Sequence, residues 1–430
     1  MEKKMVDIQK RLTFASHAEL IQIAETTGTP VFIHDENSYR EYAQQALNAP
    51  NAFGLKVRYA MKANSHKAVL KIFDSMGLHI DASSYYEVKR AMAAGISADK
   101  ISLTSQEPLN AEQLKELAGM GVLYNATSLL QLKRYGECFT GSNRPLSVRI
   151  NPGLGSGHNN RTNTGGPAAS FGIWHQYLDK VLALAREYSL KITHVHTHVG
   201  SGSDWKIWQK AARLTLDVVR EMPDVTVVNM GGGYRIDRNN PENSMDFGTV
   251  FPVVSDAFRS FADETGRKLQ MEIEPGTYLA ANSCILVSRI CDMVDTGKDG
   301  YNFLKLDSSM TELLRPMIYG ARHPIILLGK GEQAQKDYVV AGTCCESGDI
   351  FTPSEGDPER VSTVKLPEAQ TGDYVAITGA GAYGITMSAK NYNSRPICAE
   401  AMIRSDGSHV LITRRQKPEE IWANEIEVEI

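Results

Sequence analysis

The runs VRYAM (57–61), LHIDA (78–82), ISLT (101–104), VLYNA (122–126) and LSVRI (146–150) decide the fold. They begin roughly 22 residues apart, a length that fits one strand, one helix and the turns between them. Three further runs continue the series: ITHVH (192–196), VTVVN (225–229) and MEIE (271–274). Amphipathic helices fit the gaps, such as SYYEVKRAMAAG (84–95) and NAEQLKELAGMG (110–121). In the second, Leu114 and Leu117 share a face and Gly121 ends the helix. Eight β/α units make a parallel sheet, and eight strands close a (β/α)8 barrel. An open doubly wound sheet would be expected to carry G-x-G-x-x-G after its first strand, and none is there.

Beyond about residue 285 the pattern changes. CILVSRICDMV, YNFLKLDSS, DYVVAGTCC, GDYVAITGA and HVLITRR read as strands punctuated by Gly, Asp and Pro, which predicts a mostly antiparallel β domain. The expected organisation is a barrel over 37–285 and a β domain over 286–430. The segment 1–36, with its lone strand PVFIHD (30–35), joins that β domain from the other end of the chain.

The 430 residues are 42% hydrophobic and 22% charged, with a formal net charge of −4. That is an ordinary globular composition, and it argues against a nucleic-acid or membrane-surface partner. No apolar run approaches membrane-spanning length, and MEKKMVDIQKRLTF lacks a signal-peptide core. Six cysteines without C-x-x-C pairs suggest neither a disulfide framework nor structural zinc, so a reducing compartment, the cytoplasm, is expected. The adjacent Cys344 and Cys345 read at first as two small buried apolar residues.

Barrel active sites sit at the C-terminal ends of the strands, and the chemistry-bearing residues collect there. Lys62 follows strand one and Asp81 ends strand two. Arg149 and Asn151 end strand five, His196 and His198 strand six. Gly231, Gly232 and Gly233 follow strand seven, and Glu274 and Gly276 follow strand eight. A lysine enclosed at such a mouth is partly desolvated and becomes an imine-forming amine. Gly231–Gly233 and Gly276 stand where barrels hold phosphate, with Ser201 available to add a hydroxyl. His194, His196 and His198 alternate, so they point to one face. A metal reading follows from His-x-His on a strand. However, metal-binding barrels of the amidohydrolase type put that pair on strand one, where this chain has lysine. A histidine stacked on an aromatic cofactor ring suits the setting better, and no metal is expected. Glu274 fits a carboxylate facing a pyridine nitrogen, which strengthens the ring as an electron sink; a structural ion pair is the plainer alternative.

YAMKAN, HTHVGSGSD, NMGGGYRI, IEPGTYL, CCESGDIF and GAGAYGITMSAKNYNSRP resemble the fold-type III pyridoxal-phosphate decarboxylases, in that family's order from about residue 56 to 396. MTELLRPMIYGARHP resembles the substrate-binding strand region of the branch acting on meso-diaminopimelate, and RINPGLGSGHNNRTNTGG resembles a loop of one bacterial group. The resemblance implies a pyridoxal 5'-phosphate enzyme that decarboxylates meso-diaminopimelate to L-lysine, working as a homodimer with shared active sites. It implies that Lys62 carries the cofactor, His198 stacks on its ring and Glu274 meets its nitrogen. Ser201, Gly233 and Gly276 would hold the phosphate, and Tyr383 would reach the cofactor. Arg315, Tyr319, Glu346 and Tyr383 would bind substrate. Cys345 would be the proton donor, leaving Cys344 to packing.

One departure bears on substrate. The family commonly reads Glu-Pro-Gly-Arg where this chain has Thr277; Arg322 stands where it could supply the missing charge, and the plainer alternative is that Arg322 is a surface residue and Thr277 with Arg315 suffices. A related basic amino-acid or carboxynorspermidine decarboxylase is the nearest rival. An alanine-racemase-like enzyme would place arginine at the pyridine nitrogen, and a non-catalytic regulatory homologue would have lost Lys62 or Cys345.

Overall fold

The computed structural model describes every residue except 1–11, 13, 156–163, 201–203, 241, 242, 332 and 430. Two compact units result: one formed by Arg40–Ile236 and Asn243–Leu279, the other by Met1–Tyr39, Asp237–Glu242 and Ala280–Ile430.

The first unit is a closed parallel barrel. Its strands are Leu55–Ala60, His79–Ala82, Ile101–Leu103, Leu123–Ala126, Leu146–Asn151, Ile192–His196, Val227–Asn229 and Gln270–Ile273. Each pairs with the next, and the last returns to the first with Met271 opposite Leu55. The expected spacing therefore corresponds to eight β/α units. Local chemistry sets the helix ends. In Tyr85–Ala93, Ser84 Oγ accepts the Glu87 N–H (3.1 Å) while Glu87 Oε2 accepts the Ser83 N–H (2.7 Å). Asn110 and Gln113 form a capping box on Ala111–Met120, and Gly121 ends it at φ +98°. The helix Trp205–Arg220 buries Trp208, Ala211, Ala212, Thr215, Leu216 and Val219, a stripe at helical spacing that seals it onto the barrel.

Strand alternation sorts the barrel interior into two charged layers. Arg58 donates to both Glu272 oxygens, Nε to Oε2 and Nη2 to Oε1, each at 2.9 Å, with both side chains buried. Burial alone would raise the Glu272 carboxyl, but Arg58 outweighs it and holds the group down at about 2. Two residues onward on each strand lie Ala60 and Glu274, at the opposite, C-terminal end.

The second unit is a mostly antiparallel nine-stranded sheet with the order Val364–Pro367, Gln335–Ala341, Asn302–Leu306, Cys284–Asp295, Val31–Asp35, Ala399–Ile403, His409–Thr413; Ile325–Leu327 and Tyr374–Ile377 pair alongside. The N-terminal strand is central, antiparallel to 284–287 and parallel to 399–403. Its unbroken apolar run has a physical cause: Phe32 enters one core while Val31 and Ile33 enter another on the opposite face. The stretch MTELLRPMIYGARHP departs from expectation, because it is not a strand at Arg315. Pro316 in the first turn favours the helix Arg315–Tyr319, and Gly320 at φ +59° stops it before the strand Ile325–Leu327. Among the described residues no helix is long and apolar enough to cross a membrane.

Candidate active site

At the C-terminal end of the barrel, the first strand runs into one 3-10 turn, Met61–Ala63. Met61 and Ala63 are buried, which turns Lys62 outward into the mouth. Its Nζ stands 3.9 Å from Asp81 Oδ2, and its side chain is 48% exposed. The amine is thus less enclosed within this chain than the sequence suggests. Asp81 is buried, and its oxygens find no hydrogen-bonding partner of ordinary geometry among the described residues. Burial raises its pKa, and the Lys62 charge opposes that shift.

Glu274 is the second buried acid of this mouth. Asn229 Nδ2 donates to its Oε1 at 2.6 Å, and His196 Nε2 lies 3.4 Å from its Oε2. Asn125 Nδ2 donates to His196 Nδ1 at 2.7 Å, which leaves the imidazole proton on Nε2, facing Glu274. Burial first, and then the neighbouring Asp81 charge, push the Glu274 carboxyl up to about 8. Two buried carboxyls therefore share the Lys62 and Arg149 charges, and burial outweighs those charges at both.

The glycine turn after strand seven is packed against both groups. Gly232 N–H donates to His198 Nδ1 at 3.1 Å, and Asn229 Oδ1 accepts the Gly231 N–H at 2.8 Å. A Cβ on Gly232 would come within 2.5 Å of the Glu274 carbonyl oxygen, so only glycine allows this approach. Gly276 brings the strand-eight turn against strand one, where Ala60 N–H donates to Pro275 O at 3.2 Å. Gly233 completes the run at φ +97°. Ser201 lies outside the described residues.

The three alternating histidines do not form one cluster. His194 belongs to the opposite layer, with its Nδ1 2.7 Å from Thr193 Oγ1 and its charge environment set by Glu272, Arg58 and Lys56. His196 lies beside Glu274 without a hydrogen bond of ordinary geometry, and His198 is fixed by Gly232. Asn229 is the residue that the sequence did not point to as a partner of Glu274. The signal for Asn229 was its place at the end of strand seven, two residues ahead of the glycine run.

In the sheet unit the expected substrate residues fall into two groups. Arg315 and Tyr319 share one helical turn, the guanidinium 5.7 Å from the Tyr319 ring centre. The charge on Arg315 also feels Tyr383. Tyr383 sits at φ +55°, a conformation that side chains of its size rarely adopt. It lies in a loop pinned by Ala380 N–H to Cys284 O and Gly381 N–H to Ala281 O, both 3.0 Å. Cys345 and Glu346 occupy a separate exposed loop, and no contact among the described residues joins them to Arg315. That loop is built by Asp349, whose Oδ2 accepts the Cys344 N–H (2.9 Å) and whose Oδ1 accepts the Met310 N–H (2.8 Å). Asn393 Oδ1 accepts the Cys345 N–H at 2.8 Å. Cys344 is half-buried against Ser309, whereas Cys345 is exposed, so the adjacent cysteines are not a buried pair. Arg322 donates Nη1 to Pro353 O (2.9 Å) and Nη2 to Thr363 O (3.3 Å).

Comparison with known proteins identifies the family. The model for the pyridoxal-dependent decarboxylase pyridoxal-binding domain matches residues 38–281, and that for the C-terminal sheet domain of pyridoxal-dependent decarboxylases matches 253–381. The diaminopimelate decarboxylase of Streptomyces coelicolor is 34% identical over 95% of this chain and 92% of its own length. That of Escherichia coli is 32% identical over 95% and 96%. A crystal structure of a diaminopimelate decarboxylase superposes with a TM-score of 0.88 at 31% identity, covering 96% of this chain and 98% of the other. The Helicobacter pylori diaminopimelate decarboxylase complexed with L-lysine gives 0.84 at 25% identity, covering 95% and 98%. With both family domains matched and relatives alike over nearly their whole length, the chain belongs to the pyridoxal-dependent decarboxylases.

Proposed function

We infer that the chain decarboxylates meso-diaminopimelate to L-lysine and CO2, the last step of lysine biosynthesis, with pyridoxal 5'-phosphate as cofactor. The observation that carries the decarboxylase chemistry is Glu274: a buried carboxyl held near 8 beside a second buried acid, at the same barrel mouth as Lys62. That deficit of positive charge fits a protonated pyridine nitrogen, which would let Glu274 ionise. The close-packed turns at Gly232 and Gly276 fit a phosphate approached by backbone N–H groups. When bound, pyridoxal phosphate supplies an electron sink for the electron pair left as CO2 departs.

The residues divide the remaining work. Lys62 Nζ is the amine that carries the cofactor. Glu274, steadied by Asn229, would hold the ring nitrogen. His198, its Nδ1 committed to Gly232, would present its ring to the cofactor's. Ser201, Gly233 and Gly276 are assigned to the phosphate. Tyr383 is assigned to cofactor and substrate, and Arg315, Tyr319 and Glu346 to substrate. Cys345, exposed and reachable, is the acid that returns a proton to the α-carbon.

We assign the protein to the cytoplasm, supported by six cysteines that are all free thiols. We also propose a homodimer with shared active sites, which subunit complementation tests. A substrate panel assayed for CO2 release tests the function. Release from meso-diaminopimelate, with L-ornithine, L-arginine and carboxynorspermidine slow or inert, is the expected result. A reversed order overturns the substrate assignment.

A further inference from the structure

Two guanidinium groups in the sheet unit lack the anion that their placement calls for. Arg238 lies in the short segment Asp237–Glu242 that groups with this unit. Its Nε donates to Gly379 O at 2.9 Å, so the side chain lies along the start of the loop that carries Tyr383. A Cβ on Gly379, which sits at φ +67°, would come within 2.7 Å of Arg238 Cγ. Glycine there is what lets the arginine lie flat. Beyond that single bond, Arg238 Nη2 is buried with no acceptor, and so is Arg315 Nε. No carboxylate among the described residues forms an ion pair with either group.

Arg238 and His323 bond adjacent carbonyls, Gly379 O and Thr378 O. His323 is buried at 5% exposure and donates Nδ1–H to Thr378 O at 3.0 Å. Burial, and then the Arg238 and Arg315 charges, hold it well below its ordinary range. A neutral His323 in that tautomer presents a lone pair at Nε2, so it adds no competing positive charge. Arg238 is itself depressed, by burial and then by Arg315, with Tyr383 and the adjacent Asp237 opposing without reversing the shift. Buried N–H groups on neighbouring like charges are costly unless an anion completes them. A planar carboxylate can accept two parallel hydrogen bonds from a guanidinium fork.

We propose that Arg238 and Arg315 together form a carboxylate-binding site, with Arg238 as a specificity-determining residue for the reaction. Resting on the function inferred above, its ligand is the carboxylate at the end of the substrate remote from the carbon that loses CO2. Basic amino acids without that group leave both arginines unpaired, and the site therefore selects dicarboxylic diamino acids over them.

The test uses the full-length, cofactor-loaded enzyme, the substrate meso-diaminopimelate, and two compounds that lack amines: pimelate, with two carboxylates, and 1,7-heptanediol, with none. Arg238→Ala should raise the KM for meso-diaminopimelate and the Ki for pimelate roughly tenfold to a hundredfold, the loss of a charge-assisted hydrogen bond. The kcat, the cofactor absorbance and the heptanediol Ki should stay within about twofold, since none of them depends on an anion at the arginine pair. Arg238→Lys, which keeps the charge but not the fork, should recover part of the pimelate affinity and covers the case in which the alanine variant fails to fold. Unchanged KM and pimelate Ki in a folded Arg238→Ala or Arg238→Lys variant overturn the inference. A parent enzyme that ignores meso-diaminopimelate yet loses pimelate binding in Arg238→Ala overturns the proposed substrate and leaves the carboxylate site standing.

Discussion

Lys62 Nζ and Asp81 Oδ2 stand 3.9 Å apart across adjacent barrel strands, one side chain half exposed and the other buried. The relationship aims the amine: a buried acid short of partners draws the flexible lysine toward the barrel axis. Lys56, the nearest rival on the same strand, is held 3.2 Å from Glu272 in the opposite layer. Borohydride reduction of the loaded enzyme followed by peptide mapping should therefore place the pyridoxyl group on Lys62. Lys62→Ala should show no covalent label. A label on Lys56 or Lys67 would sink the assignment.

Glu274 makes a pH prediction for the cofactor-free protein. Its carboxyl is raised from 4.5 to about 8 in the folded state. A raised folded-state pKa means that the native protein binds this proton more tightly than the unfolded chain. Its stabilisation is thus complete below about 4.5 and is lost as pH rises through about 8. Unfolding free energies from urea titrations across that window should fall with rising pH, by on the order of 1.4 kcal/mol per pH unit at the steepest. Glu274→Gln should at least halve the slope. Loading the cofactor should do the same if a cationic nitrogen meets the carboxylate. An unchanged slope in Glu274→Gln would assign the dependence to other groups.

The proposed shared site makes a complementation test possible. Cys345 is in the sheet unit and Lys62 in the barrel unit. Mixing inactive Lys62→Ala and Cys345→Ala subunits should restore activity, since a mixed dimer regains one intact site out of two. Recovery of roughly a quarter of parental activity is the statistical expectation for random pairing. No recovery, with subunit exchange verified by mass, would argue that each chain supplies its own cysteine.

The barrel was legible because its signals are local and repeated. A strand every ~22 residues, a cap such as Ser84 or Asn110 and a stop such as Gly121 each declare themselves within a few positions. Lys62, Glu274 and the glycine run were legible for the related reason that strand ends put chemistry at one mouth. What stayed hidden depends on depth or on tertiary approach. His194, His196 and His198 alternate alike in sequence, yet strand rise carries His194 to the far layer beside Glu272. Asn229 matters through a hydrogen bond to a residue 45 positions away. Arg238 has no motif at all: only the path of Asp237–Glu242 into the sheet unit brings it to Gly379.

Arg322 gives the clearest contrast between sequence position and structural role. Its place after Arg315 and Tyr319 suggested a charge for the substrate, in compensation for Thr277. The structure instead spends both terminal nitrogens on backbone carbonyls, those of Pro353 and Thr363. Those bonds tie the 320s turn to the hairpin formed by Pro353–Ser354 and Asp357–Val361. A guanidinium so engaged would have to abandon two acceptors to reach a ligand. Arg322→Ala should therefore leave kcat/KM for meso-diaminopimelate within about threefold, well inside the tenfold that 1.4 kcal/mol would produce. It should cost about 1–2 kcal/mol in urea unfolding, because hydrogen bonds from a charged donor are lost while the half-buried carbonyls regain some water. A drop in kcat/KM of more than tenfold, at unchanged stability, would return the substrate role to Arg322. It would also weaken the case for Arg238, since one distal carboxylate has room for only a few donors.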